Sequence, residues 1–355
     1  MPAAGPGPGG CRRDARHPRR RDGGDRVRPR RVVVTGATGF IGSAVLRGLL
    51  EARAAGRVDE VRALARRPPG GWDGAAAGPS WRSADLTDPG SLSGALDGAD
   101  VLVHLASRVD GDASVCEAVN VRGSEALAHE ARRRGVRRIV HLSTAAVYGA
   151  GPHSGLTVNE IEPAPVSVAS ATRLEGERHM LAAGATVLRP GLVVGRGDRW
   201  VVPALAELVA RVPARWDGGR GLLSLVDVDD LAGLITTVAT APAAPPPGIH
   251  HACHPRPVGN GALMAELAGL GVLPEVTDDW SWEVCVRRLR ETPGRISERQ
   301  FSLLALDHWY RSEEIWRATG CPAGPGPLAR LAAAAPWYVA FLGERRAGVP
   351  SRGPR

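Results

Sequence analysis

A glycine-rich stretch, RVVVTGATGFIG at residues 31–42, constrains the fold more than any other part of the chain. Its three consecutive valines predict a buried strand, and the apolar spacing over residues 43–54 predicts a helix directly afterwards. The glycines between them, Gly36, Gly39 and Gly42, allow a tight turn, close approach of a diphosphate and close helix–strand packing. The first amides of the helix and its dipole favour phosphate oxygens. The stretch therefore predicts a dinucleotide-binding unit, with a tight turn that holds no ligand as the alternative.

Further apolar runs alternate with helical segments along the next part of the chain. VRALARR, VLVHLA, RRIVHLS and TVLRPGLVVG predict four more strands, and EAVNVRGSEALAHEARRRG predicts a helix. Continuous apolar strands alternating with helices are typical of a parallel sheet covered on both faces, so we predict an α/β fold with a Rossmann-type doubly wound parallel sheet. Beyond about residue 190, helical segments at 201–212, 262–270 and 327–335 alternate with proline-rich connections, which predicts a smaller, mostly helical C-terminal lobe.

The second predicted strand ends in two arginines, at the place where a dinucleotide-binding fold commonly receives the adenosine ribose. A carboxylate there accepts hydrogen bonds from a 2′-hydroxyl, whereas an arginine pairs with a 2′-phosphate. Arg66 and Arg67 occupy this place, and Asp59 and Glu60 come before the strand, at its other end. The pattern favours NADPH over NADH, with solvated surface arginines as the alternative explanation.

The positive charge of the chain is concentrated in its first 30 residues, which hold nine arginines and three aspartates, or +6 of the net +8. Glycine, proline and arginine dominate there, so we expect a disordered tail, either without function or bound to nucleic acid. All 45 basic residues of the chain are arginine, and the absence of lysine excludes Schiff-base chemistry. Five scattered cysteines, the lack of an apolar run long enough to span a bilayer and the lack of a secretory signal favour a cytoplasmic protein.

In their order along the chain, these motifs resemble the extended short-chain dehydrogenase/reductase family over about residues 31–235. TGATGFIG is similar to its diphosphate loop, DLTD to its adenine-contacting segment and VLVHLAS to its fourth strand. NVRGS carries the asparagine, Asn120, that the family keeps in a central helix. STAAVYG resembles the strand that ends in a hydroxyl-bearing catalytic residue, here Thr144. The resemblance implies hydride chemistry with a nicotinamide cofactor.

The candidate binding residues come from the arginine pattern and from this resemblance. The cofactor-binding set is Gly36, Thr38, Gly39, Phe40, Ile41, Gly42, Arg66, Arg67, Asp85, Leu86, Leu105, Ala106, Ser107, Ser143, Arg173 and Pro190. The substrate-contacting set is Ser107, Thr144, Leu192, Val193 and Trp200. Leu192 stands where nucleotide-sugar enzymes of the family commonly carry asparagine, and apolar walls in a tryptophan-rich lobe suit a flat hydrophobic ligand. Core packing is the alternative role for the tryptophans.

The family's catalytic helix carries a tyrosine acid four residues before a lysine, and SVASATRLEGE departs from that pattern. Counting from Thr144 and matching TRLEGE both place the tyrosine position at Ala169 and the lysine position at Arg173. An alanine methyl group can neither transfer a proton nor stabilise an oxyanion. We expect Thr144 and Arg173 to carry the remaining catalytic roles, and Tyr148 to pack in the core rather than to replace the acid.

A tyrosine-less chain with these features resembles the angucyclinone ketoreductases of aromatic polyketide biosynthesis. That resemblance implies reduction of a ring ketone with NADPH, as a step in antibiotic biosynthesis, with a proton supplied by a phenol or enol of the substrate. Water, Ser167 and Ser170 are other proton sources. Two different functions stay open. One is a non-catalytic NADPH-binding sensor or scaffold. The other is a nucleotide-sugar epimerase or dehydratase, against which the missing tyrosine and Leu192 argue.

HHACH, at residues 250–254, contains metal-ligating side chains, but alternation along one strand would place its histidines on both faces. We therefore predict no metal site. The oligomer is left open as a monomer or a homodimer. We expect four parts in the chain: a disordered basic tail over residues 1–30, an NADP-binding Rossmann domain over 31–190 with a return segment near 222–240, a substrate-binding lobe over 191–342 and a flexible tail over 343–355.

Overall fold

The computed structural model describes residues 31–67, 78–243 and 245–346, so the predicted basic tail over 1–30 lies outside the described residues. The strands are β1 (Arg31–Thr35), β2 (Glu60–Ala65), β3 (Ser80–Ser83), β4 (Val101–His104), β5 (Arg138–Leu142), β6 (His153–Leu156), β7 (Ala185–Arg189), β8 (Leu192–Val194), β9 (Arg215–Trp216), β10 (Leu222–Leu223), β11 (Leu225–Asp227), β12 (Gly248–His251), β13 (Val258–Gly259), β14 (Asp279–Trp280) and β15 (His308–Tyr310). The helices are α1 (Phe40–Ala54), α2 (Ala113–Cys116), α3 (Gly123–Arg133), α4 (Val168–Ala182), α5 (Val201–Arg211), α6 (Val228–Thr240), α7 (Asn260–Gly269), α8 (Trp282–Glu291), α9 (Glu298–Ala305), α10 (Glu313–Thr319) and α11 (Pro327–Arg346). A π-helical turn, Glu117–Arg122, joins α2 to α3.

Seven strands form one parallel sheet in the order β12-β7-β5-β4-β1-β2-β3, which confirms the predicted Rossmann-type fold. The order reverses between β1 and β4, where a doubly wound sheet opens a crevice at its carboxyl edge. Val32 and Val34 of β1 pack on the face covered by α1 and α6. Val33 packs on the opposite face, with Leu127 of α3 and Met180 of α4. Burial of successive valines on both faces explains the continuous apolar run.

The second lobe is built mainly from helices around a separate apolar core. Trp216 is fully buried at its centre and its ring packs edge-on against Phe301, with ring centroids 4.8 Å apart. A small four-stranded sheet in the order β13-β10-β15-β6 lies beside these helices. Trp216 therefore packs in the core, which is the alternative role given above for the tryptophans.

The chain passes more than once between the large sheet and the second lobe. β6 falls within residues 31–190, yet it pairs with β15 of the small sheet. β12 falls within residues 191–342, yet it pairs with β7 and forms an edge of the large sheet. In α10, Ile315 and Trp316 pack into the core between the large sheet and α1. Helix α11 continues to Arg346, beyond the predicted boundary at Leu342, and residues 347–355 lie outside the described part.

Among the described helices, none is both long enough and apolar enough to cross a bilayer.

Candidate functional site

The turn between β1 and α1 has the geometry of a phosphate-binding loop. Gly36 has a φ of +72°, and a Cβ there would lie 2.6 Å from the backbone nitrogen of Ala106. A Cβ on Gly42 would overlap the carbonyl oxygen of Gly36, so the first turn of α1 packs directly on the loop. Gly39 begins α1 without a side-chain cap. A side chain at Gly36 or Gly42 would therefore collide with the backbone, and the N-terminus of α1 is left without a side-chain cap, an arrangement that suits the binding of a phosphate.

The predicted neighbours of this loop lie around it. Thr38 is exposed, whereas Phe40 and Ile41 are half-buried and pack against the core beneath the loop. Leu105 and Ala106, at the carboxyl end of β4, form the other wall of the turn, and Ser107 beside them is exposed. The loop after β8 also reaches the turn, because a Cβ on Gly197 would lie 3.0 Å from the ring of Phe40. That approach brings the second lobe next to the glycine turn.

Two basic side chains follow the carboxyl end of β2, and its first residue is acidic. Arg66 and Arg67 follow the strand and are exposed. Glu60 is the first residue of β2 rather than a residue before it, and it pairs with Arg31 at the opposite edge of the sheet. Asp85 accepts hydrogen bonds from the amide and hydroxyl of Thr87 at 2.9 and 2.8 Å. Partial burial raises the pKa of Asp85, but these hydrogen bonds and the Arg66 charge outweigh it and leave the pKa below its usual value. Leu86 packs so closely on α3 that Gly123 has no room for a side chain.

A buried polar layer, which sequence reasoning missed, lies directly beneath the loop. His104 Nδ1 is 2.7 Å from Thr35 Oγ1, and His104 Nε2 is 3.1 Å from Ser124 Oγ. The Thr35 hydroxyl accepts the backbone N–H groups of Leu105 and Ala106, both at 3.3 Å. The ring of His141 stacks on that of His104 with centroids 5.0 Å apart. A histidine near the end of each of two apolar strands was the available signal, because a buried polar side chain needs partners.

These imidazoles are held neutral by their surroundings. Burial lowers the pKa of His104 to about 4. Burial also lowers the pKa of His141 well below its ordinary value, and the nearby His104 and Arg173 lower it further. Both rings therefore act as uncharged hydrogen-bonding groups at neutral pH.

Asn120 joins the loop after β4 to helix α4. Its side-chain oxygen accepts the Arg108 N–H at 2.7 Å, and its nitrogen donates to the Arg108 carbonyl at 2.8 Å and to Thr172 Oγ1 at 3.0 Å. Asn120 lies in the π-helical turn, and a side chain on Gly176 of α4 would overlap its carbonyl. Helix α4 is therefore seated tightly against the centre of the fold.

Helix α4 carries Ala169 and Arg173, the two residues expected at the tyrosine and lysine positions of the family pattern. Ala169 lies in its first turn and is half-buried. Arg173, one turn later, donates from Nη2 to the carbonyl oxygens of Ser143 at 2.7 Å and Leu142 at 3.3 Å. Burial lowers the pKa of Arg173 to about 10, partly opposed by the Glu177 charge, so the guanidinium stays cationic at neutral pH. Among the described residues, the fully buried Ser143 hydroxyl has no hydrogen-bond partner.

The other hydroxyls near α4 are already engaged. Ser167 and Ser170 cap the helix reciprocally, with their oxygens 2.9 Å apart. The Thr144 hydroxyl accepts the Ala146 N–H at 3.1 Å at the start of the 3₁₀ turn Ala145–Tyr148. The following Ala145 N–H donates to the Pro190 carbonyl at 2.8 Å. The structure therefore brings Thr144, Ser143, Arg173 and Pro190 to one edge of the sheet.

Tyr148, at the end of the 3₁₀ turn, points into the core. It is 2% exposed, and its hydroxyl lies 2.7 Å from His251 Nε2 and accepts from Arg189 Nη1 at 2.9 Å. Burial raises the pKa of the phenol, against the influence of Arg189. Both partners of the hydroxyl lie in the protein interior, in agreement with a packing tyrosine.

The predicted substrate residues are distributed over both lobes. Leu192 of β8 packs against the core of the second lobe, and Val193 packs against the core of the large sheet. Trp200 is 61% exposed, the most exposed large hydrophobic side chain in the described part of the chain. Its backbone N–H is fixed by Asp198, whose carboxylate also caps the start of α5. Leu192 and Val193 thus adjoin Pro190, while Trp200 lies at the surface.

The geometry expected for HHACH is wrong, because β12 ends at His251 and the alternation does not continue. His251 bonds to Tyr148, and Cys253 Sγ accepts the Gly191 N–H at 3.1 Å. His254 turns to the nearby Arg256 backbone, so the four side chains do not converge. Within the described residues, no three His, Cys, Asp or Glu side chains are grouped so that they could hold a metal ion.

Several characterised proteins are similar to this chain. A 2-alkyl-3-oxoalkanoate reductase from Stenotrophomonas maltophilia is 29% identical, over 82% of this chain and 94% of that protein. A 4-hydroxy-2-methyl-3-oxo-4-farnesyl-3,4-dihydroquinoline-1-oxide ketoreductase from Stigmatella aurantiaca is 32% identical, over 60% of this chain and 65% of that protein. Sterol demethylase protein B from Methylococcus capsulatus is 34% identical, but the chain spans only about half of it: 47% of this chain matches 52% of that protein.

Solved structures and a family model agree with the fold. A short-chain dehydrogenase/reductase superfamily protein from Agrobacterium tumefaciens, determined with bound NAD, superposes with a TM-score of 0.66 at 24% identity, over 89% of this chain and 99% of that chain. The model of the NAD dependent epimerase/dehydratase family matches residues 32–252. That range covers the glycine turn, helix α4 and the seven strands of the large sheet except for Arg31, the first residue of β1. This chain therefore belongs to the NAD dependent epimerase/dehydratase family and is an oxidoreductase of the short-chain dehydrogenase/reductase superfamily.

Proposed function

We propose that this enzyme reduces a ring ketone of an aromatic polyketide, of the angucyclinone type, with NADPH and a proton supplied by the substrate. The observation that carries the proposal is the pair Ala169 and Arg173 on α4, with Arg173 bonded to the strand end that precedes Thr144. A guanidinium can provide a positive field at that edge of the sheet, but the methyl group of Ala169 cannot donate a proton. In this proposal, Ala169 and Arg173 occupy the positions of the family's tyrosine and lysine, and no tyrosine from another part of the chain takes over as the acid.

The cofactor half of the proposal rests on the glycine turn and on the arginines after β2. When bound, NADPH supplies the hydride. Arg66 and Arg67 are exposed at the carboxyl end of β2, where they can pair with a 2′-phosphate. The acid Glu60 lies at the other end of the strand and is already paired with Arg31. No carboxylate follows β2 directly in the sequence to favour a free 2′-hydroxyl.

The residues around the carbonyl position divide the remaining work. As hydride adds to the carbonyl carbon, the oxygen takes up the electron pair of the C=O bond and must gain a proton. Thr144 can polarise that oxygen by a hydrogen bond, and the Arg173 cation stabilises the negative charge. The proton comes from a neighbouring phenol or enol of the same substrate molecule. Loss of that proton leaves a phenolate or enolate in the product, which water then protonates. Ser167 and Ser170 bond to one another, which disfavours them as donors.

The substrate half of the proposal rests on the apolar residues after β7. Leu192 and Val193 present aliphatic side chains beside Pro190, which suits a flat hydrophobic ring system better than a nucleotide sugar. Two of the similar proteins are named as a ketoreductase and a 3-oxoalkanoate reductase. We further propose that residues 31–190, together with α6 and β12, form the nucleotide-binding part, and that the remaining helices form the substrate lobe.

The decisive experiment compares two ketones that differ only in the proton donor. The enzyme is incubated with NADPH and either 8-hydroxy-1-tetralone or its methyl ether, together with larger polycyclic hydroxy ketones, and the products are identified by mass. We expect NADPH consumption only with the free phenols. Equal turnover of the methyl ethers would refute the substrate-derived proton. Turnover of a nucleotide sugar instead would indicate an epimerase or dehydratase.

Two variants test the residue roles in the same assay. Ala169→Tyr restores a possible acid, so we expect it to allow reduction of the methyl ethers. Thr144→Val keeps the shape of the side chain but removes the hydroxyl, and we expect kcat to fall by about 10²-fold or less. Full activity of Thr144→Val would show that this hydroxyl does not act on the carbonyl.

A further inference from the structure

A buried chain of polar side chains begins on α4, one turn beyond Arg173. Glu177 forms an ion pair with Arg189 at the end of β7, and their side chains are only 1% and 2% exposed. Arg189 Nε donates to Glu177 at 3.0 Å, and Nη1 donates to the hydroxyl of Tyr148 at 2.9 Å. The guanidinium carbon also lies 4.9 Å from the centre of the Tyr148 ring. A charge pair this deeply buried is maintained only if all its hydrogen-bonding groups are satisfied.

The chain continues through Tyr148 with one defined direction. Because the Tyr148 oxygen accepts from Arg189, its own hydrogen points to His251 Nε2, 2.7 Å away. The neutral imidazole then carries its hydrogen on Nδ1 and donates it to the Arg311 carbonyl at 3.1 Å. Burial lowers the pKa of His251 to about 4, in agreement with a neutral ring. Every hydrogen bond in the chain therefore has one donor and one acceptor. The chain runs from Glu177 on α4, through Arg189 of β7, to His251 of β12 and then to the Arg311 carbonyl in the second lobe.

Three members of this chain are each attached to a different part of the candidate site. Glu177 follows Arg173 by one helical turn, Arg189 directly precedes Pro190, and Tyr148 ends the turn that Thr144 begins. We infer that the chain Glu177–Arg189–Tyr148–His251 holds α4 against the Thr144 turn and so sets the position of the Arg173 guanidinium. Its members are positioning residues rather than catalytic ones. The inference rests on the proposed roles of Thr144 and Arg173.

Tyr310 provides a matched control for Tyr148. It is also buried, at 5% exposure, and its hydroxyl lies 2.8 Å from His153 Nδ1. Its ring centre is 5.2 Å from that of Tyr148, and both rings pack with Leu174 of α4 in one apolar cluster. Tyr148→Phe and Tyr310→Phe therefore each delete one buried phenol oxygen bonded to histidine, but only the first breaks the link from Arg189 to His251.

The test measures α4 directly and then catalysis. Hydrogen exchange of the α4 amides is followed in both variants with NADPH present. We expect about tenfold faster exchange in Tyr148→Phe and wild-type rates in Tyr310→Phe. With 8-hydroxy-1-tetralone as substrate, we expect kcat to fall about 10- to 100-fold in Tyr148→Phe, with the KM for NADPH unchanged, because small displacements of reacting groups are costly.

The outcomes separate this inference from the proposed function. Equal α4 exchange in the two variants overturns the positioning role, whether or not the tetralone is reduced. Arg173→Met is measured alongside them. Unchanged kcat in Arg173→Met would refute the proposed role of Arg173, whereas a loss there together with equal kcat in the two tyrosine variants would refute only the positioning chain. Arg189→Lys keeps the positive charge but loses the forked guanidinium that bonds to both Glu177 and Tyr148. If α4 exchanges as slowly in Arg189→Lys as in wild type, that result would also contradict the positioning role of the chain.

Discussion

The buried histidine of β4 makes the stability of this protein depend on pH in a way that can be worked out in advance. An unburied histidine has a pKa of 6.5, whereas burial lowers the pKa of His104 to about 4. In the unfolded chain, His104 therefore binds a proton below about pH 6.5. In the folded chain, it stays neutral until the pH falls to about 4. Stability from the neutral ring is complete above the unfolded pKa and is lost as the pH falls towards the folded pKa. From about pH 7 to about pH 5, the loss in unfolding free energy is roughly 2 kcal/mol for this residue.

Other groups titrate in the same range, so the effect must be isolated by difference. His251 also has a pKa of about 4 and adds to the loss. Burial raises the pKa of Asp227 to about 6, which opposes the loss because its protonated form is favoured in the fold. His104→Gln removes one titrating ring, and an amide can still bond to Thr35 and Ser124. We expect this variant to lose roughly 2 kcal/mol less than wild type between about pH 7 and about pH 5.

The measurement is urea unfolding followed by tryptophan fluorescence at both pH values. His129→Gln serves as the control, because His129 is an exposed histidine of α3 and its replacement leaves the buried layer intact. We expect the control to show the wild-type dependence on pH. If His104→Gln and wild type lose the same free energy on acidification, the ring of His104 is not kept neutral by burial and the reasoning is refuted.

The remaining predictions concern the cofactor loop, cofactor choice and the second core. Arg66→Ala should weaken NADPH binding by about tenfold and leave NADH binding unchanged in fluorescence titrations; an equal loss for both would contradict pairing with a 2′-phosphate. Gly42→Ala should abolish binding of both cofactors, because the added Cβ overlaps the Gly36 carbonyl; wild-type affinity would show that the loop relaxes freely. Trp216→Ala should lower the unfolding free energy by about 3–5 kcal/mol, against about 0.5 kcal/mol or less for the exposed Trp200→Ala, in chemical denaturation.

The central strands were predictable because each valine-rich run is buried on both faces and needs no information beyond its own composition. The edge strands were not. β3 has the sequence SWRS, and its polar residues follow from its place at the rim of the sheet. β12 contains two histidines and follows a proline-rich stretch, so only its pairing with β7 reveals it. Strands at an edge are specified by their neighbours more than by their own residues.

The site divides in the same way. The glycine turn could be predicted because its backbone geometry and its packing both require glycine at Gly36 and Gly42. The stacked His104 and His141 could not, because their contact depends on the register of β4 with β5. The pairings of β6 with β15 and of β12 with β7 each join strands from opposite sides of residue 190. A crossing of this kind is a long-range pairing, which local periodicity does not contain.

The strand β12 joins the sheet only after the chain has formed α5 and the short strands β8 to β11, and α6, which covers α1, also comes after β7 in the sequence. During synthesis on the ribosome, the apolar side of α1 therefore stays exposed until α6 has emerged. The backbone hydrogen-bonding groups at the outer edge of β7 stay unpaired until β12 has emerged. A chain stopped near residue 190 would present an open strand edge and an apolar helix surface together, a combination that promotes self-association. A fragment that ends near residue 190 would therefore lack both α6 and β12, even though the glycine turn and α4 lie within it.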